Sequence, residues 1–169
     1  MSDARERLCA DQSKRLGAAL TRLVDAKAAD ELVSGLAQRR AAVWVESLGD
    51  MPIGFADLRA QAADAHGRGL PLVVENSLAT SFGCPACRLG ADVVVEFLTR
   101  VWPEGTGRCV ALSASKACPS DLRVALAALP SAVFDDTAVT SLVAALAAFP
   151  ARRRREDDAA QVIAAYLLC

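Results

Sequence analysis

The sequence lacks the features that would assign it to a membrane, to secretion or to a nucleic acid. Its 169 residues contain no run of roughly 18 consecutive apolar residues, so no membrane-spanning helix is predicted. The charged N-terminus has no apolar core of a secretory signal. With 19 basic and 20 acidic residues, neither charge is in excess, which disfavours nucleic acids and anionic membranes as partners. We expect a cytoplasmic protein.

Side chains that often perform acid–base chemistry are also scarce. Tyr166 is the only tyrosine and His66 the only histidine, and residues 1–41 contain no aromatic residue. His66 lies near the end of a predicted helix, where the helix dipole favours a histidine. We therefore interpret His66 as a helix-terminal residue and not as a base.

The six cysteines are expected to be reduced thiols, because the sequence has no secretion signal. Cys84 and Cys87 form a CPAC motif, a spacing that thiol-disulfide oxidoreductases also use. No thioredoxin-like order of strands and helices surrounds the motif, so we interpret both residues as small apolar thiols. Cys109 and Cys118 lack the paired spacing of a zinc site. No metal site is predicted.

Apolar spacing divides the chain into two segments. Residues 1–41 predict helices, because Leu16, Leu20, Leu23 and Val24 recur at helical spacing. Residues 42–169 predict an α/β core, in which a helix ending near Gly67 separates the first two of four β-branched runs. These runs predict about four strands in a mostly parallel sheet, at Ala42–Ser47, Leu70–Asn76, Ala91–Phe97 and Arg108–Ala114.

The C-terminal region predicts two more helices. The second runs from about Thr137 to the C-terminus, and Pro150 is expected to interrupt it. The basic run Arg152–Arg155 is followed directly by Glu-Asp-Asp. We interpret this run as a solvated helix face with internal charge pairs, and not as a nucleic-acid patch.

With these elements placed, the sequence resembles the Cys/Met metabolism family of pyridoxal-phosphate enzymes, which includes cystathionine synthases, cystathionine lyases and methionine gamma-lyase. The matching segments are AVWVES, AHGRGLPLVVENSLAT, LGADVVV, and RRRRE leading into AAQVIAAYL. The resemblance implies a fold type I, aminotransferase-like large domain, in which the four predicted strands would be neighbours in chain order, the first three parallel and the last antiparallel. Residues 42–169 would form its second half, and we expect the family's C-terminal small domain to be absent.

The resemblance places three cofactor-binding positions of the family at Glu75, Thr99 and Arg100. Glu75 stands where the family has the aspartate that faces the pyridine nitrogen, and Thr99 keeps one hydroxyl of the phosphate site. Arg100, 25 residues after Glu75, stands where the family has its Schiff-base lysine. A guanidinium is always protonated and cannot form the aldimine. We therefore predict no bound cofactor and assign no catalytic residue.

Three further positions bear on the same site. Phe97 replaces a family serine, and its benzyl group is expected to crowd the phosphate. Asp50 replaces an asparagine that lies near the cofactor in the family. Lys116, in LSASK, lies 41 residues after Glu75 and beyond a further strand. We interpret Lys116 as the end of an antiparallel strand and not as a substitute for the missing lysine.

The sequence favours a non-catalytic relative of the transsulfuration enzymes, retained as a structural or interaction protein without a small-molecule substrate. Two alternatives stay open: a weak pyridoxal-phosphate lyase or transferase completed by a partner chain, and a CxxC thiol-disulfide protein. The AVWVES strand would have an uncovered edge, and uncovered edges pair readily with other chains. We expect a two-fold homodimer built on this edge, on the N-terminal helices, or on both.

Overall fold

The computed structural model describes residues 2–38, 41–49, 53–103 and 109–168. These residues form a five-stranded sheet with helices on both faces, together with a two-stranded hairpin, so the predicted α/β class is confirmed. The helices are α1 (Ser2–Leu16), α2 (Ala26–Gln38), α3 (Leu58–Gly67), α4 (Thr80–Gly83), α5 (Ser120–Ala128) and α6 (Asp136–Leu167). The strands are β1 (Leu20–Asp25), β2 (Val43–Glu46), β3 (Leu48–Gly49), β4 (Gly54–Phe55), β5 (Leu72–Glu75), β6 (Val93–Phe97) and β7 (Cys109–Ala114).

The main sheet has the strand order β1-β7-β6-β5-β2. Strands β2, β5 and β6 are parallel, and β7 runs antiparallel to β6. The four strands predicted from the sequence are therefore neighbours in the predicted order and directions. The three parallel strands end at one edge of the sheet, which we call the carboxyl edge.

The prediction that residues 1–41 are entirely helical is wrong at β1. This strand pairs antiparallel with β7 along its whole length, from Leu20 opposite Ala114 to Asp25 opposite Cys109. Gly17, with a φ of 76°, ends α1 in a left-handed conformation that favours glycine. The helical spacing of the leucines was coincidental. Because β1 completes the sheet, the boundary at residue 41 does not separate two structural units.

The sheet is covered on both faces by apolar side chains. Alternation along β6 sends Val93 and Val95 to one face, against α2 and α5, and Val94 to the other, against α3. A third cluster joins Leu98 and Trp102, which follow β6, to Leu142 of α6. Burial on both faces explains the consecutive valines in the central strands β5 and β6.

Helix α6 is continuous through Pro150, so the expected interruption is also wrong. Proline removes one helical hydrogen bond and costs about 3 kcal/mol in a helix interior. The adjacent Phe149 is fully buried, and its ring lies 4.8 Å from that of Phe82 in an edge-on contact. We attribute the continuity to this packing. Beyond Arg153, every described residue of α6 is exposed. Within the described residues, no helix is long and apolar enough to cross a membrane.

Gly90 explains the Leu-Gly-Ala-Asp segment physically. A 3₁₀ turn, Ala86–Leu89, ends at Gly90 with a φ of 111°. A Cβ atom at Gly90 would lie 2.5 Å from the Cβ atom of Ala62 in α3. Backbone conformation and close packing therefore both require glycine at this position, where the chain enters β6.

Replacing Gly90 by alanine is expected to lower the free energy of unfolding by roughly 2–4 kcal/mol, because the variant combines an unfavourable φ with overpacking against Ala62. Urea denaturation measures this change. The matched control is Gly67→Ala, since Gly67 lies in α3 with no atom near its missing Cβ. The control should be neutral or slightly stabilising. Equal losses in both variants would contradict the packing explanation.

Candidate functional site

The carboxyl edge brings together the three positions that the sequence predicted. Glu75 ends β5 and lies beside Val95 of β6, and the Asn76 N–H donates to the Val95 carbonyl at 2.8 Å. Thr99 and Arg100 follow in the turn after β6, and both side chains are exposed. The parallel pairing of β5 and β6 therefore places these positions at the same edge of the sheet.

The Glu75 carboxylate is bound by its own loop. The Ser77 N–H donates to Glu75 Oε1 at 3.1 Å, and the Ser77 hydroxyl also donates to this oxygen. Ser77 Oγ in turn accepts from the Phe97 N–H at 2.8 Å. These hydrogen bonds connect the loop after β5 to the end of β6. Sequence reasoning missed Ser77, although a serine two residues after a carboxylate is a known turn-forming pattern.

The turn that carries Arg100 is held by α6. The guanidinium of Arg152 donates to the carbonyl of Arg100 and, at 3.4 Å, to that of Val101. Nη2 of Arg100 lies 3.9 Å from Oε2 of Glu156. Because this ion pair is exposed, it contributes little stability, whereas the backbone contacts fix the turn geometrically.

None of the three lysines of the chain lies in the turn after β6. Lys116 follows β7 and lies at the opposite end of the strands from the carboxyl edge. At that end, the Ser115 N–H donates to the Asp92 carbonyl, just before β6 begins. The length of β6, at about 3.3 Å per residue, separates Lys116 from the carboxyl edge by roughly 15 Å. Lys27 pairs with Glu31 on the surface of α2, and Lys14 lies in the last turn of α1.

Of the other positions singled out in the sequence, some lie among the residues that the structure describes and others do not. The Phe97 side chain is partly exposed, and its N–H is occupied by Ser77. Asp50, the segment 104–108 and Cys169 lie outside the described residues. His66 lies near the end of α3, as predicted, with Nε2 2.7 Å from Oδ2 of Asp92. That contact joins α3 to the start of β6, away from the carboxyl edge.

The loop after β5 is fixed by buried polar groups. Asn76, fully buried, accepts from the Ser47 hydroxyl at 2.7 Å and donates to the Cys84 carbonyl at 3.2 Å. Thr80, also fully buried, has a φ of 60°, a left-handed conformation that is uncommon for a β-branched residue. Its N–H donates to the Asn76 carbonyl at 2.7 Å. These bonds hold the loop directly beside the carboxyl edge.

A buried glutamate lies beneath this loop. Glu96 is 1% exposed, and its Oε2 accepts from Gln12 Nε2 at 2.8 Å and from the Ser81 N–H at 3.0 Å. The Ser81 hydroxyl completes the network by donating to Gln12 Oε1 at 2.8 Å. Oε1 of Glu96 has no hydrogen-bond partner in the described part of the chain. Alternation along β6 signals that this carboxylate faces inward, but no local pattern identifies Gln12 as its partner.

Burial raises the pKa of Glu96 to about 8. Hydrogen bonds from Gln12 and Ser81 and the charge of Arg15 oppose this rise, while the nearby Glu75 adds to it. The side chain is therefore mostly neutral at pH 7. A carboxyl group kept neutral by burial is common at functional sites, although buried structural networks produce the same effect.

The CPAC thiols lie in an environment that opposes thiolate chemistry. Burial, followed by the charge of Glu96, raises the pKa of Cys84, while burial, Asp92 and Cys118 raise that of Cys87 to about 12. Both thiols are unpaired and pack partly buried against the α3 face of the sheet. The described residues contain no group of three side chains that could hold a metal ion.

Solved structures of fold type I pyridoxal-phosphate enzymes share this architecture. A cystathionine gamma synthase from Xanthomonas oryzae pv. oryzae aligns with a TM-score of 0.69 and 15% identity, over 88% of this chain and 51% of that one. A methionine gamma lyase from Micromonospora echinospora aligns with a TM-score of 0.66 and 19% identity, over 86% and 53%. The chain therefore has the fold of this class, and it spans about half of each solved structure.

The sequence model of the Cys/Met metabolism PLP-dependent enzymes matches residues 3–168, and the chain belongs to this family. A cystathionine gamma-lyase from Dictyostelium discoideum is 31% identical over 87 residues, which are 52% of this chain and 22% of that protein. A homocysteine/cysteine synthase from Kluyveromyces lactis is 33% identical over 95 residues, 56% of this chain and 21% of that protein.

The described residues do not fit covalent attachment of the family's cofactor. Arg100 stands where the resemblance places the Schiff-base lysine, and Lys116 lies at the opposite end of the strands from the carboxyl edge. The Glu75 carboxylate and the Phe97 N–H, two groups at this edge that bind polar ligands well, are bonded to Ser77.

Replacing Glu96 by glutamine is expected to stabilise the protein by a few kcal/mol near pH ~9 and by much less near pH ~5. Because the pKa in the folded protein is raised from 4.5 to about 8, the folded state binds the proton more tightly. The stabilisation that protonated Glu96 provides is complete at pH values below its pKa in the unfolded chain. It is lost as the pH rises through its pKa in the folded protein. Glutamine keeps the acceptor oxygen without the charge.

Urea denaturation across this pH range measures the effect. Glu31→Gln, on the exposed face of α2, is the matched control. The difference in free energy of unfolding between this variant and the unmodified protein should not change with pH. If both variants gave the same pH profile as the unmodified protein, Glu96 would not titrate with a raised pKa.

We expect the folded protein to react slowly with iodoacetamide at Cys84 and Cys87, because both pKa values are raised and little thiolate forms at pH ~7. Mass spectrometry of timed samples measures the rate, and the same protein unfolded in urea provides the control. Rapid modification of the folded protein at pH ~6 would instead favour a redox role for the motif.

Proposed function

We propose that this chain is a non-catalytic member of the Cys/Met metabolism family and that it acts as a structural or interaction protein. The observation that supports this most is the state of Arg100. It stands at the lysine position, its carbonyl accepts from Arg152, and its side chain lies near Glu156. A permanently protonated guanidinium cannot serve as the amine nucleophile.

The groups around Arg100 support the same proposal. Ser77 satisfies the Glu75 carboxylate and the Phe97 N–H at once. A ligand at this edge would have to replace those bonds. In this proposal, the hydrogen bonds at the carboxyl edge serve to connect β5, β6 and α6.

Two other functions are less well supported. A weak pyridoxal-phosphate enzyme completed by a partner chain would need a lysine from that partner and release of Glu75 from Ser77. A thiol-disulfide protein would need an acidic thiol, whereas the pKa of Cys84 and that of Cys87 are both raised. Neither alternative has a supporting geometric observation at its reacting atoms.

Self-association into a homodimer is part of this proposal. Strand β2 is an edge strand that pairs only with β5 among the described strands, and its Trp44 is 42% exposed. Helix α2 packs near β1 and β7, at the other side of the sheet from β2. Such an edge presents free N–H and C=O groups to a second chain. At four residues, however, β2 is short.

The purified protein is expected to be colourless and to stay colourless when pyridoxal phosphate is added, because no lysine lies at the carboxyl edge. Absorbance spectra before and after borohydride reduction, with mass spectrometry of the reduced protein, measure cofactor attachment. A yellow protein that borohydride bleaches would overturn the proposal. Comparing Lys116→Ala with Lys27→Ala would then show whether the lysine of LSASK is responsible.

A further inference from the structure

A surface pocket of about 470 Å³ lies between the second half of α1 and residues 81–88, which include the CPAC motif. Small-molecule sites in proteins have volumes in this range. None of the three predicted cofactor-binding positions lines the pocket. The side chains that give it its character are three cations, one carboxylate and two apolar rings: Lys14, Arg15, Arg88, Asp11, Phe82 and Pro85.

The pocket has an excess of positive charge. Its one carboxylate, that of Asp11, forms an ion pair with Arg15. In the part of the chain that the structure describes, no carboxylate lies within ion-pair distance of Lys14 or Arg88. Three cations and one carboxylate give the pocket a net charge of +2, whereas the whole chain has a formal charge of -1. Positive charge is therefore concentrated at this pocket.

Arg88 is fixed in position by the end of α1. Its Nη2 donates to the Lys14 carbonyl at 2.9 Å, and its side chain covers Gly17, where a Cβ atom would lie 2.5 Å from Arg88 Cγ. The Ser13 carbonyl accepts from the Ala18 N–H at 2.9 Å. Two carbonyl groups at the end of α1 are thus bonded within the protein, which reduces their repulsion of an anion.

Arg15 is fixed by the ring of Phe82, whose centroid lies 3.9 Å from the guanidinium carbon. The Arg15 side chain is only 23% exposed. Burial lowers the pKa of Arg15, and the charge of Glu96 opposes this change. The guanidinium stays protonated at any physiological pH. A partly desolvated cation attracts an anion more strongly than a fully hydrated one, and fixed side chains lose little entropy on binding.

We propose that this pocket binds a small phosphate monoester, with its phosphoryl group between Lys14 and Arg88 and its organic group against Phe82 and Pro85. A phosphate monoester has a charge of about -2 at pH ~7, which matches the charge of the pocket. The arginine fork suits phosphoryl oxygens, and a lysine ammonium adds a second charge. The proposal adds a binding activity that does not depend on the chemistry of the carboxyl edge.

NMR titration of isotope-labelled protein with phenyl phosphate, at pH ~7 and constant ionic strength, tests the site. We expect saturable shifts at the amides of residues 11–15 and 81–88. Methyl phosphate has the same charged group without the ring, so it should bind at least ~3-fold more weakly, because it buries less apolar surface. Acetate, a monoanion, should give no saturable shifts at the same ionic strength.

Lys14→Gln is expected to weaken the binding of phenyl phosphate roughly threefold to tenfold, because it removes one of the two unpaired cations. Lys14→Arg keeps the charge and should retain binding. Lys27→Gln is the matched control, since Lys27 is an exposed lysine on α2, outside the pocket. The control should bind as the unmodified protein does. Circular dichroism checks that each variant is folded.

Asp11→Asn tests the same charges with the opposite sign. This variant removes the one carboxylate of the pocket and releases Arg15, so it should tighten the binding of phenyl phosphate roughly threefold to tenfold. A variant that merely damaged the fold would not bind more tightly.

The inference would be overturned if ~10 mM phenyl phosphate gave no saturable shifts or shifts only outside residues 11–15 and 81–88. An equal response to acetate, or equal weakening by Lys14→Gln and Lys27→Gln, would show a general effect of salt and net charge and would also overturn it. None of these outcomes concerns attachment of a cofactor to a lysine. The inference can therefore fail while the non-catalytic proposal stands.

Discussion

The parallel pairing of β5 with β6 is the constraint on which the rest of the structure depends. It brings Glu75 and the end of β6 to one edge, and it buries valines on both faces of the sheet. Burial on both faces leaves only the strand ends for polar chemistry. The carboxyl edge is therefore the place where a family with this fold can bind a ligand, and where this chain has made internal bonds.

Those internal bonds have a common consequence, which is to join elements that are far apart in the sequence. Ser77 links the loop after β5 to β6, and Arg152 links the turn after β6 to α6. Gln12 links α1 to Glu96 across 84 positions of the chain. Of the groups bonded in this way, the Glu96 carboxylate is buried and would lack a partner without Gln12 and Ser81.

The sequence predicted well those elements whose cause is local. Strands β2, β5, β6 and β7 were recognisable because runs of β-branched residues are bounded by turns, and their directions followed from the family resemblance. Strand β1 was missed because its leucines also fit a helical period, and only its partner β7 makes it a strand. The continuity of α6 was missed because the packing of Phe149 against Phe82 is not visible along the sequence.

By itself, the sequence determined the α/β class and the family, since these depend on residue type and order alone. Only the tertiary structure decided that Lys116 lies at the opposite end of the strands from the carboxyl edge, that Glu96 is buried with a raised pKa, and that one side of α6 stays exposed. These properties depend on which distant segments come into contact. Burial and the local electric field are set by those contacts and not by neighbours in the chain.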